Sequence, residues 1–190
     1  MSASQATRDR LLAATLTCVE RWGLAKTGLE DVAREAGLSR ATVYRYFPEG
    51  RRQLVSETVT WEVGRFFALL EEEVDAEPDL TAKLVRGLMF GYGAIQEHAL
   101  LQQLLRVEPG EILEELSAST PLVGDAISAY LLGQLGREHL RAGVDPAEAA
   151  DYLTRLFLSY LGSQGQWDLT DRTAVDHLVR TQLLAGILAP

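Results

Sequence analysis

The sequence predicts an all-α protein, in which a small N-terminal head of three helices precedes a larger helical domain. Apolar residues recur at helical spacing in almost every segment, and no segment alternates apolar and polar residues for long enough to form a strand. With 47% hydrophobic and 24% charged residues, the chain has the composition of a globular protein and not of a disordered one.

The head is predicted from three helical segments that are separated by turn signals. The first carries apolar residues at helical spacing from Leu12 onwards, and Gly23 ends it as a C-terminal glycine does. The second segment covers residues 29–36. Ser39 is placed to cap the third segment, because its hydroxyl can accept from a free backbone N–H. Residues 48–50, Pro-Glu-Gly, form the turn that closes the head.

The remainder of the chain is predicted to be helical throughout. Thr120 is suited to cap a helix whose first residue is Pro121, so a break is expected there. Asp145 and Pro146 repeat the same start signal one helix later. The predicted helices cover residues 51–74, 80–98, 100–107, 111–116, 121–142, 146–163 and 171–188.

Charge is distributed unevenly along the chain. The net charge is −9, but residues 1–56 contain nine basic and six acidic residues and therefore carry +3. The remainder contains nine basic and 21 acidic residues, a net charge of −12. A basic segment on an acidic chain suggests that this segment meets a polyanion.

The lack of a membrane-spanning segment, of a secretory signal and of a cysteine pair indicates a cytoplasmic protein. No apolar run approaches the ~18 residues of a membrane-spanning helix, and the polar N-terminus is unlike a secretory signal. The single cysteine, Cys18, cannot form an internal disulfide.

The sequence offers no set of metal ligands. Cys18 alone cannot form a metal site built on cysteines. His98, His139 and His177 have no His or Cys partner at ligand spacing, so neither a metal nor a cofactor is predicted.

Residues 29–47, LEDVAREAGLSRATVYRYF, have the pattern of a helix-turn-helix motif. Ala33 is small where two helices must cross closely, and Gly37 permits the turn. Val43 and Phe47 are apolar and can face the first helix. The residues left to point outward are Arg40, Thr42, Arg45 and Tyr46. A helix of this size fits the major groove of DNA, where its N-terminal side chains meet base edges.

Over residues 8–55 the sequence resembles the TetR family of bacterial transcriptional regulators. The segments that carry the resemblance are RLLAATLTCVERWG, the helix-turn-helix segment, and Leu54 at the start of the long helix. Two positions depart from the family pattern. Gly28 stands where a capping threonine is common, and the turn PEGRRQL is one residue longer than the usual form.

The resemblance implies that residues on and around the motif contact DNA. Arg40 at the front of the recognition helix is suited to guanine, and the tyrosine hydroxyls are suited to phosphates. For Tyr44, a place at the boundary of the head core stays open as the alternative. Arg51 and Arg52 are both candidates for the phosphate anchor that a lysine supplies in the family. The implied DNA-binding residues are Thr27, Arg40, Thr42, Tyr44, Arg45, Tyr46, Arg51 and Arg52.

The resemblance further implies that residues 51–190 form an effector-binding and dimerisation domain, after a DNA-binding domain at residues 1–50. Gly87 and Gly91 suit either close helix packing or space for a ligand. The candidate walls of an apolar effector pocket are Trp61, Phe66, Phe67, Met89, Phe90, Tyr92, Leu104, Tyr130 and Trp167. Few charged residues lie among them, so a lipophilic effector is expected.

The last two long helices show broad apolar faces with two possible uses. The helices can close the core of a monomer, or, as the resemblance implies, form a four-helix interface in a homodimer. Two recognition helices must reach successive major grooves ~34–36 Å apart, which favours the dimer. The candidate interface residues are Leu153, Leu156, Phe157, Tyr160, Leu178, Val179, Leu183 and Ile187.

The function implied is that of a repressor that binds a palindromic double-stranded operator and is released by a small-molecule effector. An alternative is a helical small-molecule-binding or interaction protein that does not bind DNA. Such a protein would not need four polar side chains directed outward from one short helix. An enzyme is disfavoured, because no nucleophile–base pair or metal cluster stands out.

Overall fold

Nine α-helices account for most of residues 3–189, the part of the chain that this computed structural model describes, and no strand forms within it. The predicted all-α fold is confirmed. None of these helices combines the length and the apolar composition that crossing a membrane requires. The helices are α1 (Ala3–Trp22), α2 (Leu29–Glu35), α3 (Arg40–Tyr46), α4 (Arg51–Asp75), α5 (Leu80–Glu97), α6 (Ala99–Val107), α7 (Pro109–Leu135), α8 (Pro146–Gly162) and α9 (Arg172–Leu178).

The chain divides into two compact units. The first unit comprises Met1–Arg65 and Ala99–Ser119, and the second comprises Phe66–His98 and Thr120–Pro190. Because two of these breaks fall inside α4 and α7, both helices contribute residues to each unit. The predicted functional boundary at residue 50 coincides with none of the three breaks between the units and stays a prediction.

The head core fixes the position of α3 within the first unit. Val43 and Phe47 are fully buried and belong to one apolar cluster with Leu11 of α1 and Val32 of α2. Fully burying such a side chain stabilises the fold by roughly 1.5–3 kcal/mol. Gly37 has a φ of +61°, the left-handed conformation that the predicted turn between α2 and α3 needs.

Helix α7 differs most from the prediction. The sequence signals predict two helices with a break at Pro121, whereas the structure has one helix, Pro109–Leu135, with Pro121 in its interior. Pro109 takes the first helical position, where a proline costs nothing because its missing N–H has no intrahelical partner. Pro121 is exposed, so water can reach the turn whose hydrogen bond it interrupts. The helix also ends before the predicted residue 142, at Leu135, which Gly136 follows.

The C-terminal helix is shorter than predicted. Helix α9 ends at Leu178 and continues as a single π-helical turn over Val179–Leu183. The segment beyond it turns over residues 184–187, and Leu188 then forms an isolated antiparallel bridge with Leu140, which was also predicted to be helical. Arg141 N–H donates to the Ile187 carbonyl, and Ala189 N–H donates to the His139 carbonyl, each at 2.9 Å.

The core of the second unit is centred on α5. Leu88 is fully buried in a cluster with residues of α7, α8 and α9. A Cβ at Gly87 would lie 3.3 Å from the Phe157 ring, and one at Gly91 would lie 3.0 Å from Leu161. The two glycines therefore allow the close packing of α5 against α8, which is one of the two uses predicted for them.

Candidate nucleic-acid interface and ligand cavity

The recognition helix α3 begins with the cap that the sequence predicts. The Ser39 hydroxyl accepts from Thr42 N–H at 3.1 Å and lies 2.9 Å from the Thr42 hydroxyl. This cap satisfies a backbone donor that the first helical turn would otherwise leave free. Thr42 is half-buried at this cap, so part of its hydrogen-bonding capacity is used within the head.

The exposed face of α3 contains Ala41 and three polar side chains, and we call the polar ones, Arg40, Tyr44 and Arg45, the reading face. The Arg40 guanidinium lies 2.6 Å from the Glu30 carboxylate and 3.4 Å from the Tyr44 hydroxyl. Its carbon centre also lies 5.4 Å from the centroid of the Tyr44 ring. The hydrogen bond with Tyr44, then the negative charge of Glu30, raises the pKa of Arg40, which remains charged.

Two predicted DNA-binding residues are less accessible than expected. Tyr46 was expected to point outward, but it is half-buried against the head core with its hydroxyl 3.3 Å from the Ser4 hydroxyl. Thr27 is only 2% exposed, and its hydroxyl donates to the Gly23 carbonyl at 2.8 Å. The buried Thr27 side chain stabilises the α1–α2 loop, which does not fit a direct contact with a phosphate.

The two adjacent arginines at the start of α4 occupy different environments. Arg51 donates to the Leu24 carbonyl at 2.6 Å and to the Thr27 carbonyl at 3.0 Å, and so it holds the α1–α2 loop. Arg52 pairs with Glu49 at 3.3 Å, and its side chain is 84% exposed. The Arg51 guanidinium also lies 3.5 Å from the Glu111 carboxylate, and its side chain is 40% exposed. Arg52 is therefore the more accessible of the two candidates for a phosphate anchor.

A cavity of about 300 Å³ lies within the second unit, between α4, α5, α7 and α8. Its walls are mainly apolar, as predicted, but most of them are not the predicted residues. Phe67 and Tyr130 are the two predicted residues that line it. The other lining residues are Leu70, Glu71, Val74, Leu80, Lys83, Leu84, Gly87, Ala126, Ile127, Leu131 and Phe157.

The other predicted wall residues lie elsewhere. Trp61 and Leu104 belong to the first unit, where Trp61 packs against the head core. Phe66 stacks on Phe90 with ring centroids 5.9 Å apart. The remaining residues pack against the core of the second unit outside the cavity lining: Met89, Tyr92 and Trp167.

The large aromatics that suggested a pocket are therefore mostly core and boundary residues. The signal that identifies the observed walls is the helical spacing of positions 67, 70 and 74 of α4 and of 80, 84 and 87 of α5, at which Phe67 is the only aromatic residue.

Polar side chains meet at one side of the cavity. The Tyr130 hydroxyl donates to Asp75 Oδ1 at 3.0 Å, and Lys83 Nζ donates to the same oxygen at 3.3 Å. The Tyr130 hydrogen bond, with Lys83 second, lowers the pKa of Asp75. Burial, together with the Asp75 carboxylate, raises the pKa of Tyr130, which stays a protonated donor.

Most of the predicted dimer residues are buried within the single chain. Their side chains fill the core of the second unit, so they cannot also form the surface of an interface, and Phe157 lines the cavity. This outcome matches the monomer-core alternative for their apolar faces. The residues 6% exposed or less are Leu153, Phe157, Leu178, Val179, Leu183 and Ile187. Leu156 and Tyr160 of α8 remain half-exposed, and the neighbouring Tyr152 is 45% exposed.

Comparisons with known proteins relate the head to a family of regulators. Residues 11–58 match the family described as bacterial regulatory proteins, tetR family. An uncharacterized HTH-type transcriptional regulator of Mycobacterium bovis is 28% identical over 127 residues, which are 66% of this chain. The chain spans 65% of the length of that relative.

Two solved structures share the fold at low sequence identity. A Mesorhizobium loti protein assigned to the TetR family of transcriptional regulators covers 100% of both chains, with a TM-score of 0.66 and 16% identity. The transcriptional regulator FadR from Bacillus subtilis, in complex with stearoyl-CoA, covers 94% of this chain and 98% of its own. Its TM-score is 0.56 at 16% identity.

Proposed function

We propose that the chain, whose residues 11–58 match the tetR family of bacterial regulatory proteins, is a ligand-responsive transcriptional repressor of that family. It binds a palindromic operator as a homodimer and leaves the operator when a small lipophilic effector binds. The observation that carries this proposal is the reading face: Arg40, Tyr44 and Arg45 are exposed together on one short helix that the head core holds in place.

The reading face has the chemistry of a major-groove surface. An arginine near the front of the helix can donate to guanine O6 and N7, and the tyrosine hydroxyl can donate to a phosphate. On DNA, Arg40 leaves Glu30, an exposed partner that holds it only weakly. Arg52 supplies a positive charge beside the recognition helix and acts as the phosphate anchor.

Homodimerisation follows from the operator geometry. One recognition helix reaches one major groove, and a second must lie ~34–36 Å away to read the next. We assign the interface to the outer face of α8, where Tyr152, Leu156 and Tyr160 are accessible. This face replaces the buried residues of α8 and α9 that the sequence suggested.

The cavity of the second unit is the proposed effector site. FadR from Bacillus subtilis is a transcriptional regulator that binds stearoyl-CoA, and it shares the fold of this chain. An effector lowers DNA affinity only if it binds the DNA-free conformation more tightly than the DNA-bound one. The functional domains are accordingly proposed as residues 1–50 for DNA and 51–190 for the effector and the dimer.

The proposal is tested by a mobility shift with the DNA immediately upstream of the gene. The wild type, an Arg40→Ala/Tyr44→Ala double variant and an Arg172→Ala control are compared at two salt concentrations. Arg172 is an exposed arginine that pairs with Glu77, and it lies outside both the head and the outer face of α8. We expect salt-sensitive binding by the wild type and the control, and weak binding by the double variant.

If the upstream DNA is not bound, the operator is sought by selection from random duplexes. Recovery of a site with two inverted half-sites supports a dimeric DNA-binding regulator. A selection that returns no sequence contradicts the proposal. The alternative, a helical small-molecule-binding or interaction protein, would then account for the cavity.

A further inference from the structure

Two side chains that line the cavity donate to one oxygen of a residue that does not line it. Lys83 of α5 and Tyr130 of α7 both donate to Asp75 Oδ1, and Asp75 is the last residue of α4. The Lys83 side chain is only 14% exposed, whereas that of Asp75 is 53% exposed. The donors therefore face the cavity, and their acceptor faces solvent.

This arrangement provides a place for a carboxylate inside the cavity. A largely buried ammonium group is costly without an anionic partner, so Lys83 must keep one. A carboxylate that approaches from the cavity can replace Asp75 as the acceptor, so the Lys83 ammonium group keeps one anionic partner. The displaced Asp75 is already half-exposed, so its hydration costs little.

The neighbouring charges favour a single negative charge on the incoming group. Glu71 lines the cavity and repels a second one, whereas Arg137 is close enough to lower the pKa of Asp75. The cationic groups at this end are therefore Lys83 and Arg137, opposed by Glu71 and the displaced Asp75. A cationic ligand would instead face Lys83.

We propose that the cavity binds an apolar monocarboxylate, whose carboxylate replaces that of Asp75 between Lys83 and Tyr130. The identification of this ligand as the effector rests on the proposed function. Apolar side chains such as Leu84 and Phe157 surround the body of the ligand. The volume, about 300 Å³, lies at the lower end of the range for ligand pockets, which selects a short or medium-length body.

The exchange also affects α4. The hydrogen bonds from Lys83 and Tyr130 connect the last residue of α4 to α5 and α7. A bound carboxylate removes both connections. The ligand thus competes with an acceptor that the chain itself provides, and this competition links occupancy of the cavity to the end of that helix.

The head-group preference is measured by isothermal titration of the full-length chain with decanoate, 1-decanol and decylammonium. Decanoate is expected to bind at least tenfold more tightly than the other two, because hydrogen bonds to a charged group exceed those to a neutral one. Lys83→Met should remove most of this preference, and Tyr130→Phe should reduce it severalfold. Lys26→Met, in the head, is the control for the loss of one lysine.

The direction in which Asp75→Asn changes the affinity for decanoate shows whether Asp75 competes with the ligand or supports the site structurally. Because asparagine is the weaker competitor, decanoate should bind severalfold more tightly to this variant. Asp151→Asn, which neutralises the exposed partner of Arg155, should leave the affinity unchanged. Decanoate binding that is no tighter than decanol binding, or that Asp75→Asn weakens, overturns the proposal.

Failure of this inference is distinguishable from failure of the proposed function. The same preparation is tested for operator binding with and without saturating decanoate. Operator binding with no head-group preference overturns the carboxylate site alone. Decanoate that binds the cavity without releasing the operator overturns its role as effector. Absence of any operator overturns the proposed function, while the titration still decides the ligand class.

Discussion

Gly23 meets two separate requirements at the end of α1. Its φ of +87° is a conformation that L side chains rarely adopt, and its N–H donates to the Val19 carbonyl at 2.9 Å. A Cβ at this position would also collide with the Glu108 carboxylate. That carboxylate accepts from Ala25 N–H at 2.7 Å, so the glycine makes room for a contact that holds the α1–α2 loop.

Gly23→Ala is expected to destabilise the fold by about 2–3 kcal/mol, from backbone strain and from displacement of the Glu108 carboxylate. Gly64→Ala, at an open position inside α4, is the control and should stabilise by about 0.5–1 kcal/mol. Urea unfolding of the full-length chain measures both. Equal effects of the two substitutions would contradict the requirement at Gly23.

Alanine substitutions of Arg51 and Arg52 are predicted to have different effects, the first on stability and the second on DNA binding. Arg51→Ala removes donors from two loop carbonyls and should cost about 1–3 kcal/mol in the free energy of unfolding. Arg52→Ala should change stability by less than about 0.5 kcal/mol, because its pair with Glu49 is exposed. Chemical unfolding measures the stability of both variants. Operator titration measures their DNA binding, which Arg52→Ala should weaken. Comparable losses of stability in both variants would refute the assignment.

Sequence reasoning placed Arg40 and Arg45 of the reading face outward, but it left Tyr44 open and also placed the half-buried Tyr46 outward. The outward positions of Arg40 and Arg45 follow from the helical period, since Val43 and Phe47 must face the core. The burial of Thr27 depends on how its loop folds back onto the Gly23 carbonyl, and a pattern of residue types contains no information on such a contact. Lys83 was missed for the same reason, because its partner Asp75 belongs to another helix.

At the scale of the element, α7 contains two prolines in different environments. Pro109 stands at the first helical position, where its fixed φ and missing N–H are compatible with the helix. Pro121 stands in the interior, where it removes a hydrogen bond and crowds the preceding turn. Local capping signals at Thr120 therefore predicted a start that the surrounding structure overrides.

Pro121→Ala is expected to stabilise the chain by about 1–3 kcal/mol, because alanine restores the donor and relieves the crowding. Pro109→Ala serves as the matched control within the same helix and should change stability by less than about 1 kcal/mol. Thermal unfolding followed by far-ultraviolet circular dichroism measures both variants. A loss of stability in Pro121→Ala would indicate that the interruption is required by the fold.

The elements whose sequence signals agree with one another were predicted most closely. Helix α8 starts at Pro146, where Asp145 accepts from Ala147 N–H at 2.9 Å and from Glu148 N–H at 3.0 Å. The end of α9 was not predicted, because nothing local opposes helix continuation through Val179. The antiparallel bridge between Leu140 and Leu188 competes with that continuation, and it joins segments that are far apart in the sequence.

At the scale of the whole molecule, the net charge of −9 does not oppose DNA binding. Screening by salt limits the electrostatic range of each charge to about 10 Å at 0.1 M, so the groups nearest the phosphates determine the interaction. Residues 1–56 carry +3, and the exposed cations of the reading face and the α4 start belong to this segment. The acidic remainder instead disfavours non-specific adsorption to nucleic acid.

Operator affinity should therefore fall steeply with salt. If Arg45 and Arg52 of both subunits neutralise about four phosphates, log K against log salt has a slope of about −3.6. Arg52→Ala removes two of these contacts per dimer and should make the slope shallower by about 1.8. Arg51→Ala is the neighbouring control; at a temperature where it remains folded, its slope should equal that of the wild type.

Operator titrations between 50 and 200 mM salt measure the three slopes. Because a phosphate anchor and a loop-holding arginine differ in this slope even when both weaken binding, equal slopes for the two variants would show that Arg52 does not reach the DNA backbone.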